Sequence, residues 1–162
     1  NIKRRIGFVS GGVDHYTKKK LSAITDVTRR FYPSWDETAY RRYLALFALD
    51  ENKRVKELSE GMKVKFNLLL ALSHRAEMLI LDEPTASLDP LAEAEIYSKF
   101  NEIVNDRNTI YISHRLSSCV FCDQVVVFDN GSIVQYDTHK NLLKQKEGKY
   151  FELWNAQAQY YK

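Results

Sequence analysis

Several kinds of residue are scarce in this sequence, and each shortage excludes a class of protein. Two cysteines among 162 residues are too few for a disulfide scaffold. A net charge of +3 argues against a nucleic-acid binder with a basic surface and against a polybasic membrane anchor. No apolar run approaches the roughly 20 residues that span a bilayer, and the first residues lack a signal-peptide pattern. The remaining composition, 44% hydrophobic and 28% charged, is that of a globular domain.

The two cysteines, Cys119 and Cys122, form a C-x-x-C pair. A redox motif would need thioredoxin-like surroundings, and a zinc site would need two more ligands. Neither is evident in the sequence. We therefore expect two reduced cysteines on a helix of a cytosolic protein.

Strand patterns alternate with helix patterns along the chain. Short apolar or β-branched runs predict strands at residues 6–9, 78–81, 109–113, 124–128 and 132–136. Apolar residues at helical spacing predict helices at residues 18–30, 37–49, 59–72, 91–104, 139–144 and 150–161. Ser34 and Glu37 fit a capping box at the start of the second helix. The alternation favours an α/β architecture, and Asn130-Gly131 between the last two strands indicates an antiparallel hairpin.

Two acids, Asp82 and Glu83, directly follow the most apolar strand. Open α/β sheets bind ligands beyond the carboxyl ends of their strands. In phosphate-transfer sites the first acid of such a pair helps to hold Mg²⁺, often through water. The adjacent acid can then serve as a general base. The alternative is that both acids only cap the following turn.

Three other segments carry candidate site residues. Ser59 and Gly61 begin a helix 23 positions before Asp82, where a hydroxyl, backbone N–H groups and the helix dipole could bind an anion; Ser59 could equally be a plain N-cap. Asp89 belongs to a short loop after the acids. His114 ends a strand 32 positions after Asp82 and could reach a terminal phosphate, although a lone histidine there is usually structural.

The order of these motifs resembles that of ATP-binding cassette (ABC) ATPase domains. The matching segments cover nearly the whole chain and read Leu58-Ser59-Glu60-Gly61-Met62, Leu79-Ile80-Leu81-Asp82-Glu83-Pro84, Ser87-Leu88-Asp89 and Ser113-His114-Arg115. The resemblance implies a P-loop NTPase-like parallel sheet with flanking helices, truncated here, a helical signature subdomain, and a C-terminal β-hairpin with helices. Residues 1–76 would form a partial cassette with the signature subdomain. Residues 77–162 would run from the Walker B motif to the C-terminal part of the core.

The same resemblance implies a role for each candidate residue. Asp82 would be the Walker B acid that binds nucleotide and holds Mg²⁺ through water. Glu83 would be the catalytic base and His114 the switch histidine. Ser59 and Gly61 would belong to the signature motif, which contacts the terminal phosphate of ATP bound to a partner domain. Asp89 would lie at the interface between the two domains.

The implied protein is the ATP-binding part of a membrane transporter, which couples ATP binding and hydrolysis to transport. Its partners would be a transmembrane subunit or domain and a second ABC ATPase domain in a head-to-tail dimer. It would lie as a peripheral domain on the cytoplasmic face of a bacterial membrane. The alternative is a non-catalytic module that supplies its signature motif to another subunit's ATP site.

The sequence departs from the family pattern in two places. None of the six glycines is followed by Lys and Ser or Thr, so the phosphate-binding loop G-x-x-x-x-G-K-[ST] is absent. We interpret this as an N-terminal truncation and expect the chain alone not to hydrolyse ATP. Glu60 and Met62 replace a Gly and a Gln of the usual signature. We expect Glu60 to face solvent in the first turn of its helix, where an acid suits the dipole.

Two parts of the chain resemble different branches of the family. Residues 31–65 look like stand-alone bacterial ABC subunits. Residues 112–118 and 154–161 look like exporters in which membrane and ATPase domains are fused. The hypothesis that the chain is a mosaic, natural or engineered, predicts different nearest relatives for the two parts. A single relative that matched from end to end would contradict it.

Overall fold

The computed structural model of the protein describes residues 2–11, 16–104 and 107–158. The chain forms two compact units, Asn1–Ile112 and Ser113–Lys162. The expected division into residues 1–76 and 77–162 separates motifs rather than compact units, and it stays a prediction.

The first unit is built on a three-stranded parallel sheet. Its strands are β1 (Ile6–Ser10), β2 (Met78–Asp82) and β3 (Asn108–Ile112), which are neighbours in that order. The register aligns the last residues of all three strands, so their carboxyl ends lie at one edge. The strands predicted from the apolar runs are therefore confirmed.

Helices supply the crossovers that parallel strands require. Between β1 and β2 lie α1 (Leu21–Phe31), α2 (Glu37–Leu46) and α3 (Glu60–Ser73), and α4 (Pro90–Val104) connects β2 to β3. The expected helical faces are buried in the core of this unit, and their buried members are Tyr40, Tyr43, Phe47, Val64, Leu68, Leu69 and Leu72.

The second unit contains the predicted hairpin. Strands β4 (Val125–Asp129) and β5 (Ser132–Asp137) are antiparallel. The turn residues Asn130 and Gly131 have φ of +47° and +77°, which is the left-handed backbone that a two-residue hairpin turn uses. The helices α5 (His139–Leu142) and α6 (Lys149–Ala158) follow. The small core of this unit consists of Leu116, Val125, Val127, Leu142 and Tyr150.

The expected capping box at α2 is wrong. Asp36 is the N-cap, and its carboxylate accepts a hydrogen bond from the Ala39 backbone N–H at 2.9 Å. Ser34 instead donates to the backbone carbonyl of His74 at 2.7 Å. Both residues suit an N-cap chemically, and the contact of Ser34 with the end of α3 decides between them.

Other boundaries differ by a few residues. The helix predicted from residue 18 begins at Leu21, because Lys20 is extended and forms an isolated bridge with Arg54. Helix α2 ends before residue 49, and Ala48 has a φ of +50°, outside the helical range. The third strand ends at Ile112 rather than at residue 113. Residues 159–161 of the last predicted helix lie outside the described residues.

Candidate functional site

The carboxyl ends of the three parallel strands carry the Asp82-Glu83 pair. Asp82 is paired with Ser10 of β1 and with Ile112 of β3. Just beyond the ladder, the Glu83 backbone N–H donates to the Ile112 carbonyl at 2.9 Å. The Gly11 N–H donates to the Asp82 carbonyl at 2.9 Å. Both acids are half-buried at this edge of the sheet, so the structure places them where the sequence predicted.

Glu83 has an unusual backbone conformation. Its φ is +48°, in the left-handed region that costs an L-residue about 1–2 kcal/mol. Gly11 lies against it, and a β-carbon on residue 11 would collide with the Glu83 carbonyl oxygen. The sequence shows no sign of the strain at Glu83, because glutamate has no preference for positive φ. Gly11 is a hint in the sequence that the backbone approaches closely here.

A buried polar cluster that sequence reasoning missed lies beside the two acids. Thr85 donates to the carboxylate of Glu93 at 2.8 Å, and the Tyr97 hydroxyl donates to the same oxygen at 3.1 Å. The Tyr111 hydroxyl lies 3.1 Å from the Thr85 hydroxyl and 2.5 Å from that of Tyr97. One signal could have revealed it. Glu93 lies three and four positions before Ile96 and Tyr97, on the apolar face of α4, where an acid needs buried partners.

The tyrosines of this cluster keep their protons. Burial raises the pKa of the Tyr97 and Tyr111 hydroxyls, because it disfavours the charged phenolate. The negative charge of Glu93 raises both pKa values further. The charge of Glu83 also raises the pKa of Tyr111. Both side chains are therefore neutral hydrogen-bond donors at any physiological pH.

Residues 58–62, which resemble the signature motif and are called the signature segment below, lie at the start of α3. Ser59 is its N-cap, and the Ser59 hydroxyl accepts a hydrogen bond from the Met62 N–H at 3.3 Å. The Ser59 side chain is exposed and begins the helix where the positive end of the dipole lies. The expectation for Glu60 is confirmed: its side chain is 50% exposed and pairs with Lys63 at 2.7 Å.

Asp89 caps α4 close to the signature segment. Its carboxylate accepts hydrogen bonds from the N–H groups of Leu91 at 3.0 Å and Ala92 at 2.9 Å. A β-carbon on Gly61 would lie 3.9 Å from both Leu88 and Ala92, an ordinary packing distance. The structure thus brings Gly61 next to the Asp89 loop, and two helix N-termini adjoin each other.

His114 belongs to the second unit. Its backbone carbonyl accepts a hydrogen bond from the Gln157 side chain, and its own side chain is exposed. The preceding Ser113 hydroxyl accepts a hydrogen bond from the Arg115 N–H at 2.9 Å. This turn presents His114 at the surface of the second unit, and the remaining candidate residues lie in the first.

The C-x-x-C pair lies in the second unit as two free cysteines. Cys119 is in a 3₁₀ turn, Leu116–Phe121, and Cys122 follows it, so a 3₁₀ turn replaces the expected helix. Burial raises the pKa of both thiols, that of Cys122 to about 11. Both cysteines are therefore poor nucleophiles at neutral pH.

Comparison with known proteins identifies the family. A family model described as an "AAA domain", with "AbiEii toxin, Type IV TA system" in its further description, matches residues 14–116. The subtilin transport ATP-binding protein SpaT of Bacillus subtilis is 37% identical over 145 residues, which are 88% of this chain and 23% of that protein. By the family model the chain belongs to the AAA-type ATPase domains, and by its relatives to the ATP-binding domains of ABC transporters.

Other ABC proteins agree with this assignment. An ATP-dependent lipid A-core flippase of Acinetobacter baylyi is 42% identical over 96 residues, which are 59% of this ABC domain chain and 17% of the flippase. A bacterial Atm1-family ABC exporter solved with ATP bound has the same fold, with a TM-score of 0.78 and 24% identity over 96% of this chain and 29% of the exporter. The ATP binding subunit of an ABC transporter also matches, with a TM-score of 0.74 and 23% identity, over 95% of this chain and 68% of that one. The predicted fold class is therefore confirmed.

The alignments cover only part of each relative. The chain spans 23% of the length of SpaT and 17% of that of the flippase. SpaT aligns over 88% of the chain and the flippase over 59%, so the hypothesis of a mosaic from two branches stays a prediction. Among the described residues of this ABC domain, no helix is both long enough and apolar enough to cross a bilayer.

Proposed function

We propose that this chain forms the signature and hydrolysis part of an ABC transporter's ATPase domain, which couples ATP binding and hydrolysis to transport. The observation that carries the proposal is the Asp82-Glu83 pair at the carboxyl end of the central parallel strand. The backbone of Glu83 is hydrogen-bonded to the end of β3, and that of Asp82 to Gly11, which directly follows β1. A general base needs such a fixed position, because small displacements of a reacting group cost much of the rate.

Glu83 is the general base in this proposal. Its carboxylate accepts a proton from the water that attacks the terminal phosphorus of ATP, as the bond to ADP breaks. His114 contacts the terminal phosphate as the switch histidine.

Asp82 suits a Mg²⁺ ion bound together with ATP. Mg²⁺ favours oxygen ligands and usually takes one or two carboxylates, with waters and substrate phosphates completing its shell. Asp82 supplies one half-buried carboxylate, and the described residues contain no cluster of three or more potential metal ligands. This donor set fits Mg²⁺ held through water. When bound, the ion neutralises phosphate charge.

The signature segment serves a second ATPase domain. In a head-to-tail dimer, Ser59 and Gly61 contact the terminal phosphate of ATP held by the partner domain, and Asp89 lies at the interface. The start of α3 supports this arrangement, because the exposed Ser59 lies at the positive end of the helix dipole. The further partner is a transmembrane subunit or domain. The exporter relatives favour export, from the cytoplasmic face of the membrane.

ATP turnover by the intact transporter tests this proposal. Glu83→Gln should lower kcat at least about a hundredfold while ATP still binds, and Asp82→Asn should weaken the response of turnover to Mg²⁺. Asp26→Asn and Glu152→Gln are matched controls, because both acids are exposed and form ion pairs within their own helices, with Arg29 and Lys149. Turnover by Glu83→Gln within about twofold of the controls would overturn the role of Glu83. If only Ser59→Ala then reduced turnover, the chain would be the non-catalytic module that serves another subunit's ATP.

A further inference from the structure

The buried cluster beside the two acids has a defined hydrogen-bond direction. Glu93, when ionised, can only accept. It accepts from Thr85 at 2.8 Å and from Tyr97 at 3.1 Å. Since both of those hydroxyl protons are used, Tyr111 donates to the Thr85 or the Tyr97 oxygen. Every hydroxyl proton has an acceptor, and no member can rotate without breaking a bond to another.

This cluster connects three elements around the turn that begins at Glu83. The Ala86 N–H donates to the Glu83 carbonyl at 3.2 Å, so Thr85 lies inside that turn. Glu93 and Tyr97 are one helical turn apart on α4. Tyr111 lies on β3, paired with Leu81 of β2. Hydrogen bonds of the cluster therefore connect the Glu83 turn to both α4 and β3.

Burial makes this attachment rigid. Thr85 is 2% exposed, Glu93 5% and Tyr97 4%. A buried acid and three hydroxyls are costly unless all are hydrogen-bonded, so water cannot replace one partner without a penalty. The turn that carries the strained Glu83 backbone thus has one low-energy position.

We propose that Thr85 and Glu93 are positioning residues for Glu83, holding its turn so that the carboxylate stays aligned with the attacking water. The inference rests on the proposed role of Glu83 as the base. Thr85 and Glu93 do not touch the reacting atoms. They act through the turn of Glu83, and their loss should slow the chemical step without weakening ATP binding.

Thr85→Val in the intact transporter is the main test, because valine keeps the shape and removes the hydroxyl. We expect kcat to fall about tenfold and KM for ATP to change less than about twofold. Thr85→Ser, which restores the hydroxyl, should recover most of the turnover. Thr25→Val is the matched control, since Thr25 is also buried and its hydroxyl donates to Tyr40 at 3.3 Å, in the helices between β1 and β2. An unchanged kcat in Thr85→Val, or an equal loss in Thr25→Val, would overturn the proposal.

Variants that carry Glu83→Gln distinguish the positioning role of Thr85 from the role of Glu83 as the base. If Thr85 acts through Glu83, adding Thr85→Val to Glu83→Gln should lower the residual turnover no further, because the base is already gone. A further tenfold loss would mean that Thr85 acts elsewhere. If Glu83→Gln alone retains full turnover, the role of Glu83 fails. If Glu83→Gln abolishes turnover and Thr85→Val does not lower it, only the positioning role fails.

A second variant decides the question if Thr85→Val does not fold. Tyr111 is less buried than Thr85, so Tyr111→Phe should be tolerated. It removes one donor from the cluster, and we expect kcat to fall severalfold with KM unchanged. Tyr40→Phe is its control, because it removes a tyrosine hydroxyl that donates elsewhere, to the carboxylate of Glu51 at 3.2 Å. An unchanged kcat in Tyr111→Phe would overturn the proposal.

Discussion

The α-carbon of Gly11 faces the backbone carbonyl oxygen of Glu83 so closely that residue 11 has no room for a β-carbon. The Gly11 N–H also binds the Asp82 carbonyl at 2.9 Å, so the end of β1 lies directly against the acid pair. Since Glu83 already has a strained φ of +48°, any displacement of its carbonyl should move its side chain.

Gly11→Ala should therefore lower both stability and turnover. Because the added carbon meets backbone rather than a flexible side chain, we expect a loss of about 1–3 kcal/mol in the free energy of unfolding. We also expect kcat to fall at least about tenfold. Gly131→Ala is the control, since Gly131 has a positive φ of +77° and open space around it. That variant should lose stability through backbone strain and keep kcat. An equal kcat in the two variants would contradict the account.

Asp36→Ala should destabilise the protein in a pH-dependent way. The Ala39 N–H and the Arg75 guanidinium hold the pKa of Asp36 below its usual value of 3.8. Because the folded pKa lies below that of the unfolded chain, the stabilisation is complete above about pH 4 and is lost as the pH falls through the folded value. Urea unfolding at pH 7 should show a loss of about 1 kcal/mol, as for other N-caps. The difference from the parent should shrink below pH 4.

The exposed Asp26 provides the matched control for Asp36. Asp26 forms an ion pair with Arg29 one helical turn away, and both side chains are about half exposed. Asp26→Ala should change the free energy of unfolding by less than about 0.5 kcal/mol. A loss equal to that in Asp36→Ala would mean that the cap has no special role.

His74 should make stability fall as the solution becomes mildly acidic. The residue is 2% exposed and stacks on Tyr32 with ring centroids 4.0 Å apart, and its buried Nδ1 has no hydrogen-bond partner among the described residues. Burial, with a smaller contribution from the charge of Arg107, lowers its pKa. His74 therefore binds a proton less readily in the folded protein than in the unfolded chain. The free energy of unfolding should be at its full value above about pH 6.5 and should decline below that pH.

His74→Phe should keep the stack and flatten that decline between pH 7 and pH 5. The decline should not vanish, because burial also lowers the pKa of His139. Denaturant unfolding at several pH values measures both slopes. Identical slopes in the two proteins would show that His74 is not the group that titrates.

Cys119 and Cys122 should react slowly with alkylating agents. With its pKa raised to about 11, Cys122 is only about 0.1% thiolate at pH 8. We expect iodoacetamide to modify the folded protein at least about tenfold more slowly than the same protein in urea, as mass spectrometry would record. Equal rates in both states would show that the thiols are accessible and ionised.

The sequence predicted those features that depend on local pattern. Apolar runs located the three parallel strands, Asn130-Gly131 located the hairpin, and helical periodicity identified the buried face of α3. Ser59 was expected as a possible N-cap, and it is one. Local pattern did not identify the N-cap of α2, because Ser34 and Asp36 can both serve as N-caps. A contact of Ser34 with residue 74 decided between them.

The geometry around Glu83 could not be predicted from the sequence. Its positive φ results from the closeness of three strand ends that are far apart in the chain. The roles of Tyr97 and Tyr111 depend on the same long-range packing, since each could have been an ordinary core aromatic. Glu93 was the one member with a local signal, as an acid on an apolar helix face.

The proposed role of Glu83 as the base for ATP hydrolysis can be tested by trapping nucleotide. The most direct test incubates the intact transporter carrying Glu83→Gln with ATP and Mg²⁺ and then removes free nucleotide. The nucleotide that remains bound is then identified. We expect the Glu83→Gln transporter to retain unhydrolysed ATP, whereas the transporter with the control substitution Glu152→Gln turns ATP over. Retained ADP, with phosphate released at the rate of that control, would contradict it.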